Sequence, residues 1–419
     1  MNVLRSRDGT YDPTPLPRAA AGALEAALGV FPVVVVIGAR QTGKSTLVQS
    51  LPALAGHAYR TLDDPELRDQ ARRDPAAVLA YADDLILDEV QRAPDLLLAV
   101  KQAVDRDRPR KPGRFVLTGS ANLLLMERVS ESLAGRAAYL RLWPLTRRER
   151  LGLGRAGIWS ELLATPTKAW AALVRDQTVP AEDWQLAVTE GGLPVPAHDL
   201  TTSDERARWF DGYVETYLER DLQTLGRIED LGDFRRLMRA VAIRLGQVAH
   251  QADLARDVGL SRPTAHRWLN LLETSFQLVR VGAYAVNRTK RLVKSPRLYW
   301  SDVGLALHIA GGAPAGAHLE NLILTDLIAW RELVTPRPDV FFWRTANGEE
   351  VDFVIEAKDR LLPVEVKAAA RPGPGDAKHL QTFRREYGER VLGGLVLHGG
   401  SDTYWLAEGI LAAPWWTVV

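Results

Sequence analysis

The chain has 419 residues, with 53 Lys and Arg against 52 Asp and Glu. At roughly 150 residues per domain this length argues for two or three cores, and a net charge of +1 means that any nucleic-acid-binding surface must be local. The lack of cysteine excludes disulfides, thiolate metal sites and a cysteine nucleophile; no run reaches the roughly 18 apolar residues of a membrane span, and Met1–Asp12 lacks a signal-peptide core, so the expected location is the cytoplasm.

A proline-broken arm and an Ala/Leu helix occupy residues 1–30. Val33-Val34-Val35-Val36-Ile37 is a continuous β-branched run, which predicts a fully buried parallel strand. It runs into Gly38-Ala39-Arg40-Gln41-Thr42-Gly43-Lys44-Ser45, a G-x-x-x-x-G-K-[ST] match, and then into a helical segment. Glycines at those places let successive backbone N–H groups turn inward around phosphates. Gly38, Arg40, Gln41, Thr42, Gly43, Lys44, Ser45 and Thr46 are therefore candidate ATP contacts, with Lys44 bridging the β- and γ-phosphates and Ser45 ligating Mg²⁺. Leu85-Ile86-Leu87 reads as a second buried strand and ends in Asp88-Glu89, assigned to Mg²⁺ and to the general base. Phe115-Val116-Leu117 is a third. Ser120 and Asn122 at its tip are candidates for the γ-phosphate or the attacking water, and Ser120 serves equally well as a helix N-cap. Arg136 is a candidate arginine finger, in cis or across a subunit boundary, or simply a surface residue. Strands alternating with helices predict a βαβ domain over 1–145 with helices on both faces of a parallel sheet.

Residues 146–245 read as mostly helical, broken at Gly191-Gly192-Leu193-Pro194. In 246–312, Leu254, Val258, Leu260, Leu269 and Leu272 can form one small core. Gly259 supplies a turn, and Ser261 is an N-cap with Pro263 in the first helical turn. This is a helix-turn-helix pattern whose second helix presents Arg262, His266 and Arg267 outward. Arg280, Arg288, Lys290, Arg291, Lys294 and Arg297 follow with no acidic residue among 280–297, a basic patch shaped like the wing of a winged helix. Its phosphate contacts would be largely sequence-independent. Lid or protein contacts are the other use of such a module.

From 317 the pattern is helix, three strands, helix, strands, a candidate separate α/β domain over 313–419. Glu365 and Lys367 share one face of a strand. A tight turn centred on Lys358-Asp359 sets Asp352 opposite Glu365 and Glu350 opposite Lys367. Opposed carboxylates need a cation between them, so Asp352, Glu365 and Lys367 are a candidate Mg²⁺ or Mn²⁺ phosphodiesterase site. The competing reading is a solvated sheet with Glu350 paired to Lys367.

Several stretches together resemble one family: Gly-Ala-Arg-Gln-Thr-Gly-Lys-Ser (38–45), Leu-Asp-Glu-Val-Gln (87–91), Leu-Thr-Gly-Ser-Ala-Asn (117–122), Ser-Leu-Ala-Gly-Arg (132–136), Gly-Gly-Leu-Pro (191–194), Thr-Tyr-Leu-Glu-Arg-Asp (216–221), Val-Asp-Phe-Val-Ile-Glu (351–356) and Pro-Val-Glu-Val-Lys (363–367). The chain resembles bacterial and archaeal AAA-type P-loop ATPases whose C-terminal domain of unknown function has a restriction-endonuclease-like core. The Asp…Glu-x-Lys set looks like the PD-D/E-x-K nuclease core, with Glu320 matching its extra acidic ligand and Val351 standing where that core has proline. The resemblance implies an α/β chain with a P-loop parallel-sheet ATPase domain, a helical and winged-helix middle region and a nuclease-like C-terminal domain. The Asp352/Glu365/Lys367 set and the basic wing then favour a Mg²⁺-dependent ATPase, expected as a homo-oligomer, that remodels or processes branched or broken DNA. The alternative is a nucleotide-dependent switch with a non-catalytic C-terminal module.

Overall fold

The computed structural model describes residues 15–107, 109–120, 133–221, 228, 230–286 and 295–419. Its first sheet has five parallel strands: β1 (Val33–Gly38), β2 (Ala58–Thr61), β3 (Leu85–Asp88), β4 (Phe115–Ser120) and β5 (Ala137–Arg141), in the order β2-β3-β4-β1-β5. β1 is buried along its whole length because both of its faces are covered. Val34 and Val36 pack with Leu24, Leu47 and Val48 from the helices Ala20–Leu28 and Lys44–Ser50. Val33 and Val35 pack with Leu67, Leu97 and Val100 from the helices Pro65–Arg73 and Leu96–Arg106. A strand with two apolar faces reads as an unbroken apolar run. β2 and β5, on the edges and half-buried, carry mixed residues and give no such signal.

The second sheet has eight strands: β6 (Leu278–Ala283), β7 (Arg297–Trp300), β8 (Asp339–Arg344), β9 (Glu350–Ala357), β10 (Arg360–Lys367), β11 (Gly394–His398), β12 (Tyr404–Ala407) and β13 (Ile410–Pro414). Their order is β12-β13-β11-β10-β9-β8-β6-β7. From residue 316 the elements follow the expected helix–strands–helix–strands order. The expected separateness of this unit does not hold. β6 and β7, predicted as a wing, extend the C-terminal sheet, because Gly282 and Ala283 pair in parallel with Phe341 and Phe342 of β8. One apolar core runs from Ala156 to Val419, joining the helical region, the helix-turn-helix and the C-terminal strands. Polar ties reinforce it. Arg147 and Arg148 donate to the Trp416 and Thr417 carbonyls, and buried Asp326 accepts from Gly157 N–H and Trp159 Nε1. Among the described residues no helix is long and apolar enough to cross a membrane.

Candidate nucleotide site and carboxylate cluster

The chain leaves β1 at Gly38, where a Cβ would lie 2.2 Å from the Leu142 carbonyl oxygen, so only glycine fits. The loop then turns through left-handed conformations at Gln41 (φ 63°) and Gly43 (φ 90°). Arg18 clamps it from outside. Its guanidinium donates to the Thr42 and Trp143 carbonyls, both at 2.7 Å, and pairs with Glu149 at 3.0 Å. Thr42 is buried, with its hydroxyl on the Ala39 carbonyl. Lys44 Nζ donates to the same Ala39 carbonyl at 2.7 Å and to Gly38 at 3.3 Å. Burial brings its pKa down to about 8, against the pull of Glu89 and Asp88.

β4 lies between β1 and β3, yet the helix that starts at Lys44 carries Ser45 across to the tip of β3. Ser45 Oγ donates to Asp88 at 3.0 Å, Tyr59 OH donates to it at 2.5 Å, and the Thr118 hydroxyl donates from β4. Glu89 is left-handed (φ 57°) and stands beside this group. Gln91 Nε2 links the Glu89 carboxylate to Ser120 Oγ, the latter at 2.8 Å. Burial pushes the Glu89 carboxyl above its usual range, with Lys44 opposing. The structure thus gathers Lys44, Ser45, Asp88, Glu89 and Ser120, adding Tyr59, Thr118, Gln91 and Arg18. Arg18 and Tyr59 carry no motif of their own, whereas Gln91 closes the Leu-Asp-Glu-Val-Gln run and Thr118 stands in Leu-Thr-Gly-Ser-Ala-Asn. Ser45 and Asp88 are hard oxygen donors already facing each other, a set that suits Mg²⁺.

A cavity of about 340 Å³ opens beside the loop. Arg40, Gln41, Gly43, Lys44, Ser45 and Thr46 line it, together with Pro194, Val195, His198 and Asp199 of the turn after Gly-Gly-Leu. The Gly-Gly-Leu-Pro turn is thereby explained. Asp302, the N-cap of helix Val303–Ala310, accepts from Gly192 N–H at 2.6 Å, Leu193 N–H at 2.9 Å and Leu305 N–H at 2.7 Å. Gly191 (φ 69°) has no room for a side chain, since a Cβ would stand 2.7 Å from Asp302 Oδ1.

Arg136 is not brought to this site. It precedes β5, beside Val33 at the start of β1 and so at the far end from Gly38, and it pairs with Asp105 at 2.6 Å. A role as a finger in cis is thereby corrected: five residues of strand, at about 3.3 Å each, separate the two ends. Asn122 lies outside the described residues, as do Arg288, Lys290, Arg291 and Lys294.

In the C-terminal unit the hairpin register is the expected one, pairing Arg360 with Ala357 through to Val364 with Phe353. Just past the ladder's end, Val366 N–H donates to Asp352 at 2.9 Å. The cation that these carboxylates require comes from the chain itself. Arg297, 4 % exposed, places Nη1 at 3.0 Å from Glu320 and 3.2 Å from Asp352, and Nη2 at 3.0 Å from Glu350. Its guanidinium lies over the Phe342 ring, and Tyr299 OH donates to Glu320. Lys367 pairs with Glu365 at 2.9 Å, not with Glu350. Burial, with Asp352 close by, pushes the Glu320 and Glu365 carboxyls up. Two expectations are corrected here. Arg297 is a buried counter-ion and not part of an exposed wing, and the opposed acids Glu320, Asp352 and Glu365 do not frame a metal position. Among the described residues no group of three or more His, Asp or Glu is arranged to hold a metal ion. Arg280, the other described wing cation, is paired with Glu273 at 2.9 Å.

The helix-turn-helix comprises Gln251–Asp257 and Arg262–Thr274, turning at Gly259 (φ 72°) and capped by Ser261 on Thr264 N–H at 3.2 Å. Leu254, Val258, Leu269 and Leu272 are buried and Leu260 partly so, with Ala265 and Trp268 completing the core. Arg262, His266 and Arg267 are exposed on the second helix.

Comparison with known proteins agrees with this arrangement. Residues 30–151 match the family described as AAA domain, residues 181–315 a domain of unknown function (DUF8612) and residues 315–418 another (DUF4143). Uncharacterized proteins of Mycobacterium tuberculosis and Mycobacterium bovis are each 30% identical over 412 residues, covering 95% of this chain and 83% of theirs. A solved Walker-type ATPase of Pyrococcus abyssi is similar over 74% of this chain and 98% of its own, at 15% identity and a TM-score of 0.38, too loose a likeness to argue from. Loop, sheet and AAA-domain match together define an ATP hydrolase of the AAA type. The chain belongs to the family of these mycobacterial proteins, and is itself an AAA-type P-loop ATPase that carries a C-terminal domain of unknown function.

Proposed function

We propose that the chain is a Mg²⁺-dependent ATPase whose nucleotide state sets how its helix-turn-helix and C-terminal unit hold DNA. Lys44 neutralises the β- and γ-phosphates, and Ser45 and Asp88 hold Mg²⁺, which supplies charge neutralisation at the phosphates. Glu89 takes the proton from the attacking water. Gln91 keeps the Glu89 carboxylate beside Ser120.

The observation that carries the coupling is the segment of β7 and the residues just after it. One end, Arg297, is sunk among Glu320, Glu350 and Asp352, and the other, Asp302, holds the turn that walls the nucleotide cavity. Every residue of β7 is buried, so the segment transmits displacement rather than absorbing it. The exposed Arg262, His266 and Arg267 supply the DNA contact. In this reading the C-terminal core is nuclease-like in fold and grips rather than cuts, because Arg297 fills the place of a cation.

Fluorescence anisotropy with a labelled duplex, in ATP and in ADP, tests the proposal. Affinity should differ between the two nucleotides. Changing Arg262 and Arg267 to Glu should weaken binding for all sequences and reduce the salt slope by about one per lost phosphate contact. Identical affinity in ATP, ADP and the double variant would assign the helix-turn-helix to protein contacts. Titration calorimetry with Mn²⁺, without nucleotide, should show no ion bound at the carboxylate cluster. An ion that binds there and is lost in Asp352→Asn, together with DNA cleavage slowed by Lys367→Ala, would restore a cutting role.

A further inference from the structure

Arg18, in the N-terminal arm, is only 9 % exposed, and all three nitrogens of its guanidinium are engaged. Nε donates to Glu149 at 3.0 Å, Nη1 to the Thr42 carbonyl at 2.7 Å and Nη2 to the Trp143 carbonyl at 2.7 Å. Its partner is held just as firmly. Glu149 Oε1 also accepts from Ala19 N–H at 2.7 Å, and Oε2 accepts from Thr146 N–H at 2.7 Å in the capping box of the short helix Arg147–Arg150. The guanidinium is thus a planar fork fixed by the chain that follows β5, and its remaining tine rests on the P-loop.

The Thr42 carbonyl belongs to the same planar unit as the Gly43 N–H, and in a trans peptide those two groups point in opposite directions. A loop that holds a phosphate does so with N–H groups. This peptide can offer its N–H only with its carbonyl turned away, and Arg18 holds that carbonyl. The Gly43 N–H itself has no acceptor among the described residues. Nothing local would keep the peptide in this orientation. Gly43 stands at φ 90°, and glycine adopts negative φ about as readily, so the unit before it can turn over without steric cost. The lock has to come from elsewhere in the chain. Arg18 is close enough to supply it, since a Cβ on Gly43 would meet Nη1 at 3.3 Å.

We propose that Arg18 is a positioning residue for the nucleotide: it fixes the Thr42–Gly43 peptide with the N–H presented to the phosphates, so that the anion site is formed before the ligand arrives. The inference rests on the P-loop being the nucleotide site. Without the fork, fewer loops are competent at any moment, and affinity falls in proportion to that fraction.

Titration calorimetry of ADP with the full chain and Mg²⁺, below the melting temperature of each protein, is the test. Arg18→Met keeps the apolar stem without a donor and should bind ADP about 10-fold more weakly or worse, with about 100-fold as the most that one hydrogen bond to a charged group contributes. Arg18→Lys keeps the charge opposite Glu149 but not the fork, and should lose about 3- to 10-fold; it decides the matter if the methionine variant fails to fold. In steady state, KM for ATP should rise in step while kcat stays within about 3-fold of wild type, because the N–H serves the phosphates before and during transfer alike. A merely structural strap gives a different result, a lower melting temperature with ADP affinity and KM at the wild-type values, and that overturns the proposal. A fall in kcat at unchanged KM would place Arg18 in the chemical step and overturns it too. Failure of wild type to bind ADP at all overturns the nucleotide-site reading and the proposal with it.

Discussion

Glu89 sits in a left-handed backbone conformation, which for a residue other than glycine or asparagine costs on the order of 1 kcal/mol or more. That turn brings its carboxylate next to Gln91 and the Asp88 group without extending β3. If it is the base, Glu89→Gln should leave ATP binding near wild type and lower kcat about 10²- to 10⁴-fold, read by nucleotide titration alongside a phosphate-release assay. Turnover at the wild-type rate would remove Glu89 from that role. The pH profile follows from the same burial. A base works when deprotonated, and burial raises the Glu89 pKa. The acid limb of kcat should therefore lie at higher pH than the roughly 4.3 of an exposed glutamate, and activity should be lost as pH falls through that raised value. A limb at the ordinary glutamate value would mean that solvent reaches the carboxylate during turnover. At this scale the sequence was informative where phosphate chemistry dictates spacing: Lys44, Ser45, Asp88 and Glu89 could each be named in advance. Arg18 and Tyr59 could not, because each reaches the site through hydrogen bonds to groups far away in the chain or across the sheet, and no local pattern records that; Thr118 and Gln91 stand inside the quoted stretches 117–122 and 87–91, but their partners there were not foreseen.

At the scale of elements, the buried strands β1, β3 and β4 were legible as apolar runs, and the β9–β10 register followed from the turn at Lys358-Asp359. β7 was misread. Arg297 follows a run of basic residues, and nothing local distinguishes an arginine on a solvated wing from one folded in among three distant acids. Its burial makes a sharp prediction. Removing one partner of a buried ion cluster typically costs about 3–5 kcal/mol, so Arg297→Met should lower the melting temperature markedly. Mn²⁺ should recover part of the loss, because Glu320 and Asp352 would then have lost their cation. A melting temperature unchanged by the substitution would mean that the cluster contributes nothing net. Asp302 is the other end of this element. Asp302→Ala strips the acceptor from Gly192, Leu193 and Leu305 N–H groups, each unsatisfied group costing about 1–3 kcal/mol. The variant should melt earlier and also bind ATP more weakly, since the Pro194–Asp199 wall is hung from that turn. Weaker folding with unchanged ATP affinity would confine Asp302 to stability.

Across the whole molecule, the sequence divided into units more cleanly than the structure does. Composition shifts near 145, 245 and 312 mark where the local pattern changes, and two of the matched families meet at residue 315. Packing ignores the later changes, because β6 and β7 complete the C-terminal sheet and one apolar core draws residues from the helical region, the helix-turn-helix and the C-terminal strands alike. Those contacts join residues far apart in the chain, which periodicity within a window cannot report. In the proposed coupling, the turn that walls the nucleotide cavity reaches the helix-turn-helix through this core, which holds Leu193 together with Leu254 and Leu269. That route is tested most directly by the steady-state rate of phosphate release from ATP, measured for the full chain alone and with saturating single-stranded, duplex or four-way-junction DNA. At least one DNA form should raise the rate several-fold, and changing Arg262 and Arg267 to Glu should abolish the increase while leaving the basal rate intact. A rate indifferent to every form of DNA would contradict the coupling of ATP turnover to DNA.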